Sequence, residues 1–183
     1  MKPLGIAHPG RLAAGRLFVA LLLALWLPRL TSGQQAQVVG ATDGGPLAIV
    51  VNKSNPVDDL SMEELRKYFL LEHDHWPNGR KTTVLMLPAG TPERDLALRA
   101  VYRFTEGEFA QYFIKENFTG RIRSSPKELI SALNVRKFVF NVPGAIGYLR
   151  AQEVDDTVKV IRVDGRAPND PGYPLTLANL APQ

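Results

Sequence analysis

The 183-residue sequence contains no cysteine. That excludes a disulfide framework, a thiol nucleophile, a thiolate metal site and a lipid-bearing cysteine. Histidine is nearly as scarce, at three residues, and no G-x-S-x-G segment is present to form a hydrolase nucleophile elbow. No internal repeat or low-complexity block interrupts the chain. With 45% hydrophobic and 22% charged residues, a collagen, a long coiled coil and a wholly disordered chain are also excluded. The length suits one domain with a sizeable core and falls short of two full-sized ones.

No hydrophobic run is long enough to cross a bilayer as a helix. Residues 17–27 are eleven unbroken apolar residues, against the roughly 20 that a spanning helix needs. A basic, acid-free stretch precedes the run, Pro28 ends it, and the small residues Thr31-Ser32-Gly33 follow. This is the pattern of a secretory signal peptide over residues 1–33, with cleavage expected after Gly33. Cleavage after Ala36 and a retained signal anchor are the alternatives. The processed protein is expected to be periplasmic or secreted and not membrane-spanning.

The net charge of +4 suggests a nucleic-acid binder, but it resides in that first segment. Lys2, Arg11, Arg16 and Arg29 lie there without any acidic residue. Without those four, 18 of the 22 basic residues remain, against 18 acidic ones. The neutral remainder gives no reason to expect a nucleic-acid partner.

Residues 34–46 read as a flexible polar leader. Leu47 to Val51 is a short apolar run that predicts a buried strand. Ser61-Met62-Glu63-Glu64 is a capping box, with Met62, Leu65 and Phe69 on one helical face behind it. Trp76-Pro77-Asn78-Gly79 marks a turn, and residues 82–87 a second strand. Thr91 with Pro92 opens a helix whose apolar face is Leu96, Ala97, Ala100, Val101 and Phe104. Thr105 and Glu108 form another capping box, followed by Phe109, Ala110, Phe113 and Ile114. Residues 127–130 are expected to be extended, with a helix starting near Ser131 that places Val135, Phe138, Val139 and Val142 on one face. Strands follow at residues 144–149 and 158–163, and then a tail rich in Pro and Gly. Strands alternating with capped helices predict an α/β fold with a partly parallel sheet.

Three places carry candidate chemistry. Residues 87–94 join a strand end to a helix start, where ligands bind in open α/β sheets and where free N–H groups favour anions. Gly90 would let a ligand approach the backbone, Thr91 offers a hydroxyl and Arg94 a guanidinium. Against this, Pro92 removes a donor and Glu93 adds negative charge, so a plain capped helix start is the other reading. Residues 120–125 gather Arg121, Arg123, Ser124 and Ser125, which suits either an oxyanion cradle or a solvated loop. His73-Asp74-His75, with Glu72 alongside, has metal-ligand spacing. With no further His after residue 33 and no Cys, no metal site is expected, and no cofactor. Asn52 and Asn117 each head a glycosylation sequon, relevant only in a eukaryotic secretory route.

Residues 60–69, Trp76-Pro77-Asn78-Gly79, Gly90-Thr91-Pro92-Glu93-Arg94 and Pro143-Gly144-Ala145-Ile146-Gly147-Tyr148 occur in that order. The combination resembles the phosphate-binding solute receptors of bacterial ABC transporters, which have the type II periplasmic binding protein fold. It is most similar to the short, single-lobe substrate-binding-protein-like members. The resemblance runs from about Leu47 to Leu149, and Gly172-Tyr173-Pro174-Leu175 resembles a late family segment. Where full receptors carry a Ser-Gly-Thr-Arg type loop, this chain has Gly90-Thr91-Pro92-Glu93-Arg94, its arginine displaced by two residues.

The resemblance implies one lobe over residues 47–183, a mixed, mostly parallel sheet flanked by helices. It implies a non-catalytic protein that binds phosphate or another small oxyanion, or assists phosphate transport or sensing. Gly90, Thr91 and Arg94 are the expected anion ligands, with Ser124 and Ser125 as secondary candidates. The alternative is an interaction module of the same fold that docks a membrane sensor or transporter. A hydrolase resting on the carboxylates and the His73/His75 loop is a third reading.

Overall fold

The computed structural model describes residues 45–177. The expected signal segment, its cleavage point and residues 34–44 of the expected leader lie outside the described residues.

The run Leu47-Ala48-Ile49-Val50-Val51 has no polar residue for either face, so it suits a strand covered on both sides. It forms β1 (Leu47–Val51), with all five residues buried. Two strands flank it, both antiparallel: β5 (Ala145–Arg150) and β6 (Lys159–Val163). Ile49 thereby sits opposite both Tyr148 and Ile161. The short β2 (Asp59–Leu60) adds to β6 in parallel. On the other side β3 (Thr83–Met86) runs parallel to β5, and β4 (Lys127–Glu128) runs parallel to β3. The order β2-β6-β1-β5-β3-β4 makes one mixed six-stranded sheet, with three of its five pairings parallel.

Helices cover both faces. Successive strand residues point to opposite sides, and β5 shows it. On one side of Gly147 lies α4 (Ala132–Asn141), where a Cβ at Gly147 would meet Val135 at 3.0 Å. The next residue, Tyr148, stacks on Phe69 of α1 (Met62–Phe69) on the opposite side. Among the described residues, the four α-helix starts are capped as their local residues predict. Ser61 and Glu64 close the capping box of α1, and Thr105 and Glu108 that of α3 (Glu106–Phe118). Thr91 caps α2 (Pro92–Leu96), and Ser131 caps α4.

Two helical faces differ from expectation. After α2 the chain widens into a π-helical turn, Ala97–Tyr102, which ends at Arg103 in the left-handed region. Widening shifts the apolar stripe, so Leu98 and Tyr102 are buried while Ala100 is only half-buried. On α3 the inward residues are Phe113 and Glu116, with Phe109 and Tyr112 half-buried; Ala110 and Ile114 face solvent. The Pro/Gly-rich tail also joins the core. Tyr173, Leu175 and Leu177 are buried, the Leu47 amide donates to the Leu175 carbonyl at 2.7 Å, and the Tyr173 hydroxyl donates to the Leu47 carbonyl at 2.8 Å. Asn52, expected as a sequon, is buried and donates to the Val139 and Phe140 carbonyls near the end of α4.

Burial pushes the phenols of Tyr102, Tyr148 and Tyr173 above their ordinary range. An unfolded tyrosine ionises near pH ~10, while these three hold their protons to higher pH when folded. The stability they contribute is therefore complete below about pH 10 and is lost as pH rises beyond it. Phenolate absorbance should rise for these tyrosines only together with loss of the folded circular dichroism signal. Smooth ionisation of all five tyrosines in a still-folded chain would contradict this.

Candidate functional site

The corner from β3 to α2 is built by local chemistry. Gly90 takes φ 81°, a conformation open to glycine, and is exposed. Half-buried Thr91 is the N-cap of α2. Its Oγ1 accepts from the Arg94 amide at 3.3 Å and donates to the Pro88 carbonyl at 2.8 Å. Pro92 follows at the first helical position.

Arg94 is buried at 5% exposure, and its guanidinium donates to Glu106, Glu128 and the Leu87 carbonyl. Its Nε donates to Glu106 Oε2 at 3.0 Å and its Nη2 to Glu106 Oε1 at 2.5 Å, a bidentate pair. Its Nη1 donates to the Leu87 carbonyl and to Glu128 Oε2, both at 3.0 Å. The guanidinium also lies over the Phe109 ring, 5.2 Å from its centroid. Burial works against the charge, yet the Glu106 hydrogen bond and charge, with Glu128, hold the guanidinium above its ordinary range. Glu93, also buried, is ion-paired with Arg150. One cation facing two carboxylates leaves the Arg94 cluster with a formal excess of negative charge.

Gly90, Thr91 and Arg94 thus come together at the carboxyl end of β3. Ser124 and Ser125 do not join them. They precede β4, which runs parallel to β3, so they stand at the opposite end of the sheet. There Ser124 lines a cavity of about 560 Å³ together with Lys81 and Thr82 just ahead of β3. The Ser125 hydroxyl is engaged by Asn117 Nδ2 at 2.9 Å. His75 Nδ1 pairs with Asp74 at 2.9 Å, and the His73 ring meets Tyr68 edge-on at 5.3 Å. Among the described residues no group of three or more His, Asp or Glu is gathered where it would hold a metal ion. None of the described helices is long and apolar enough to cross a membrane.

The partners of Arg94 escape a sequence reading. Glu106 and Glu128 stand 12 and 34 residues away. Glu106 reads locally as a first-turn acid of α3 and Glu128 as part of an extended segment, and no local spacing links either to Arg94.

No protein-family model matches the chain. Solved structures do. A protein from Clostridium perfringens, described as a phosphate ABC transporter substrate-binding protein and solved with bound phosphate, superposes at a TM-score of 0.55 with 22% identity. The match covers 67% of this chain and 46% of that one. PstS from Borrelia burgdorferi gives a TM-score of 0.57 at 15% identity, over 72% of this chain and 54% of that one. This chain shares their fold. An ABC-type phosphate transport receptor from Vibrio cholerae agrees, with a TM-score of 0.50, 23% identity and coverage of 67% and 48%. The chain spans about half the length of these phosphate-receptor structures. The expectation of an α/β lobe of this fold, with helices on both faces of a mixed sheet, is met.

Proposed function

We propose that this chain is a non-catalytic, exported solute-binding protein that takes phosphate or another small oxyanion and serves a membrane transport or sensing system. The observation that carries this reading is the shared fold with receptors of phosphate transport, one of them solved holding phosphate. The anion would sit at the exposed Gly90 and the Thr91 corner, beyond the carboxyl end of β3. Arg94 lies behind that corner and shapes it by gripping the Leu87 carbonyl. Its charge reaches an anion only in competition with Glu106 and Glu128. The periplasmic or secreted location rests on the signal pattern of residues 1–33.

A second reading keeps the lobe and drops the ligand, so that this end of the sheet docks a membrane sensor or transporter subunit. Two observations favour it: Arg94 already has its acceptors within the chain, and Ile130 is 82% exposed just past β4.

Calorimetric titration with inorganic phosphate separates the two. The first reading predicts saturable binding that Thr91→Ala weakens. Glu128→Gln should strengthen it roughly tenfold, because one nearby negative charge is removed. No heat from wild type or Glu128→Gln at millimolar phosphate would overturn anion binding and favour the docking module.

A further inference from the structure

We propose that the cavity at the amino end of β3 binds a small zwitterion, with a primary ammonium and a carboxylate on an apolar body, of amino-acid to dipeptide size. At about 560 Å³ it falls in the ordinary range for small-molecule sites. It lies at the end of the sheet opposite the Thr91 corner, and the inference is independent of phosphate binding there.

Two groups lining it are left wanting. Glu116 is only 6% exposed and accepts no hydrogen bond to its carboxylate among the described residues. Its nearest cation, Arg121 Nη1, is 3.6 Å away on a side chain that is 72% exposed. Thr82 is 2% exposed, and its Oγ1 has no hydrogen-bond partner among the described residues. A nearly buried carboxylate held by one long ion pair to an exposed side chain, and a buried hydroxyl without a partner, are costly unless something else supplies them. A primary ammonium carries three donors and a positive charge, which suit the Glu116 carboxylate.

The surroundings specify the rest of the molecule. Leu71 and Ile122, each 8% exposed, supply apolar walls. Lys81 and Arg123 are exposed, line the same cavity and have no ion pair among the described residues, so they suit a carboxylate. Glu72 and Asp74 also line it; Asp74 is engaged by His75, and Glu72 adds to the attraction for the ammonium.

Calorimetry of the protein with L-leucyl-L-alanine tests this, with N-acetyl-L-leucine (no ammonium) and 3-methylbutylamine (no carboxylate) as comparators. Saturable heat is expected from the dipeptide at millimolar concentration or below, and at least tenfold weaker binding of each comparator. Glu116→Gln should weaken the dipeptide about tenfold. Lys81→Ala combined with Arg123→Ala, both exposed and so tolerated by the fold, should weaken it by a similar factor. Thr91→Ala, at the other end of the sheet, should leave it unchanged. No saturable heat from the dipeptide, equal binding of N-acetyl-L-leucine, or undiminished affinity in the Lys81/Arg123 double variant would each overturn the proposal.

Discussion

Arg94→Ala is expected to destabilise the protein by about 2–4 kcal/mol. Removing one partner of a fully buried ion pair costs about 3–5 kcal/mol, and the half-exposed carboxylates of Glu106 and Glu128 lower that figure because water reaches them. The Leu87 carbonyl loses its Nη1 donor, and the Phe109 ring loses its cation. Arg94→Lys should recover little, since an ammonium cannot span Glu106 in bidentate fashion and still reach Glu128 and Leu87. Urea unfolding of both variants measures this. Wild-type stability in Arg94→Ala would mean that the guanidinium is not a structural clamp, and would return it to the ligand's service.

A still larger loss is expected from Gly144→Ala. An added Cβ would stand 2.0 Å from the Lys81 carbonyl oxygen and 3.1 Å from its carbon, both backbone atoms that cannot swing aside. The same residue's carbonyl accepts from Trp76 Nε1 at 3.0 Å and from the Thr83 amide at 2.9 Å. Relieving the clash therefore pulls on the start of β3 and on the Trp76 anchor, which stacks on Tyr68 at 4.3 Å. Overpacking costs about 1–3 kcal/mol where side chains can yield, and backbone against backbone yields less, so a loss of at least about 3 kcal/mol is expected. Trp76 is the only tryptophan after residue 33, so its fluorescence reports the change directly. A variant that unfolds at the wild-type urea concentration would contradict this packing.

These two residues also divide what the sequence makes legible from what it does not. Helix starts were readable because a cap is local: Ser61 with Glu64, Thr105 with Glu108 and Thr91 with Pro92 satisfy their own first turns. Residues 127–130 were readable as extended because a helix there would have turned Arg136 and Lys137 inward, and β4 with the Ser131 cap agrees. The Pro-Gly-Ala-Ile-Gly-Tyr segment, matched by resemblance, has a physical cause in the structure. Gly144 lies against Lys81, Gly147 lets α4 approach through Val135, and the Tyr148 hydroxyl accepts the Leu87 amide at 3.2 Å.

Non-local pairing was hidden. Arg94 looked like a free cation at an anion corner because nothing in its neighbourhood announces Glu106 or Glu128. On α3 the expected Phe109 and Phe113 do pack inward, but Ala110 and Ile114 do not, because the later turns of the helix border the cavity. Ile114 is 69% exposed and Phe118 92%, while the charged Glu116 turns inward. The Gly172-Tyr173-Pro174-Leu175 segment stands out only by resemblance; nothing local in a tail of Gly and Pro points to Tyr173 and Leu175 sealing the start of β1.

The most direct measurement of the central claim is a phosphate titration followed by amide NMR on the isotopically labelled protein. Oxyanion capture at the end of β3 predicts saturable shifts concentrated at the Gly90 and Thr91 amides, enlarged in Glu128→Gln. Unmoved Gly90 and Thr91 signals at millimolar phosphate, in both wild type and that variant, would contradict it.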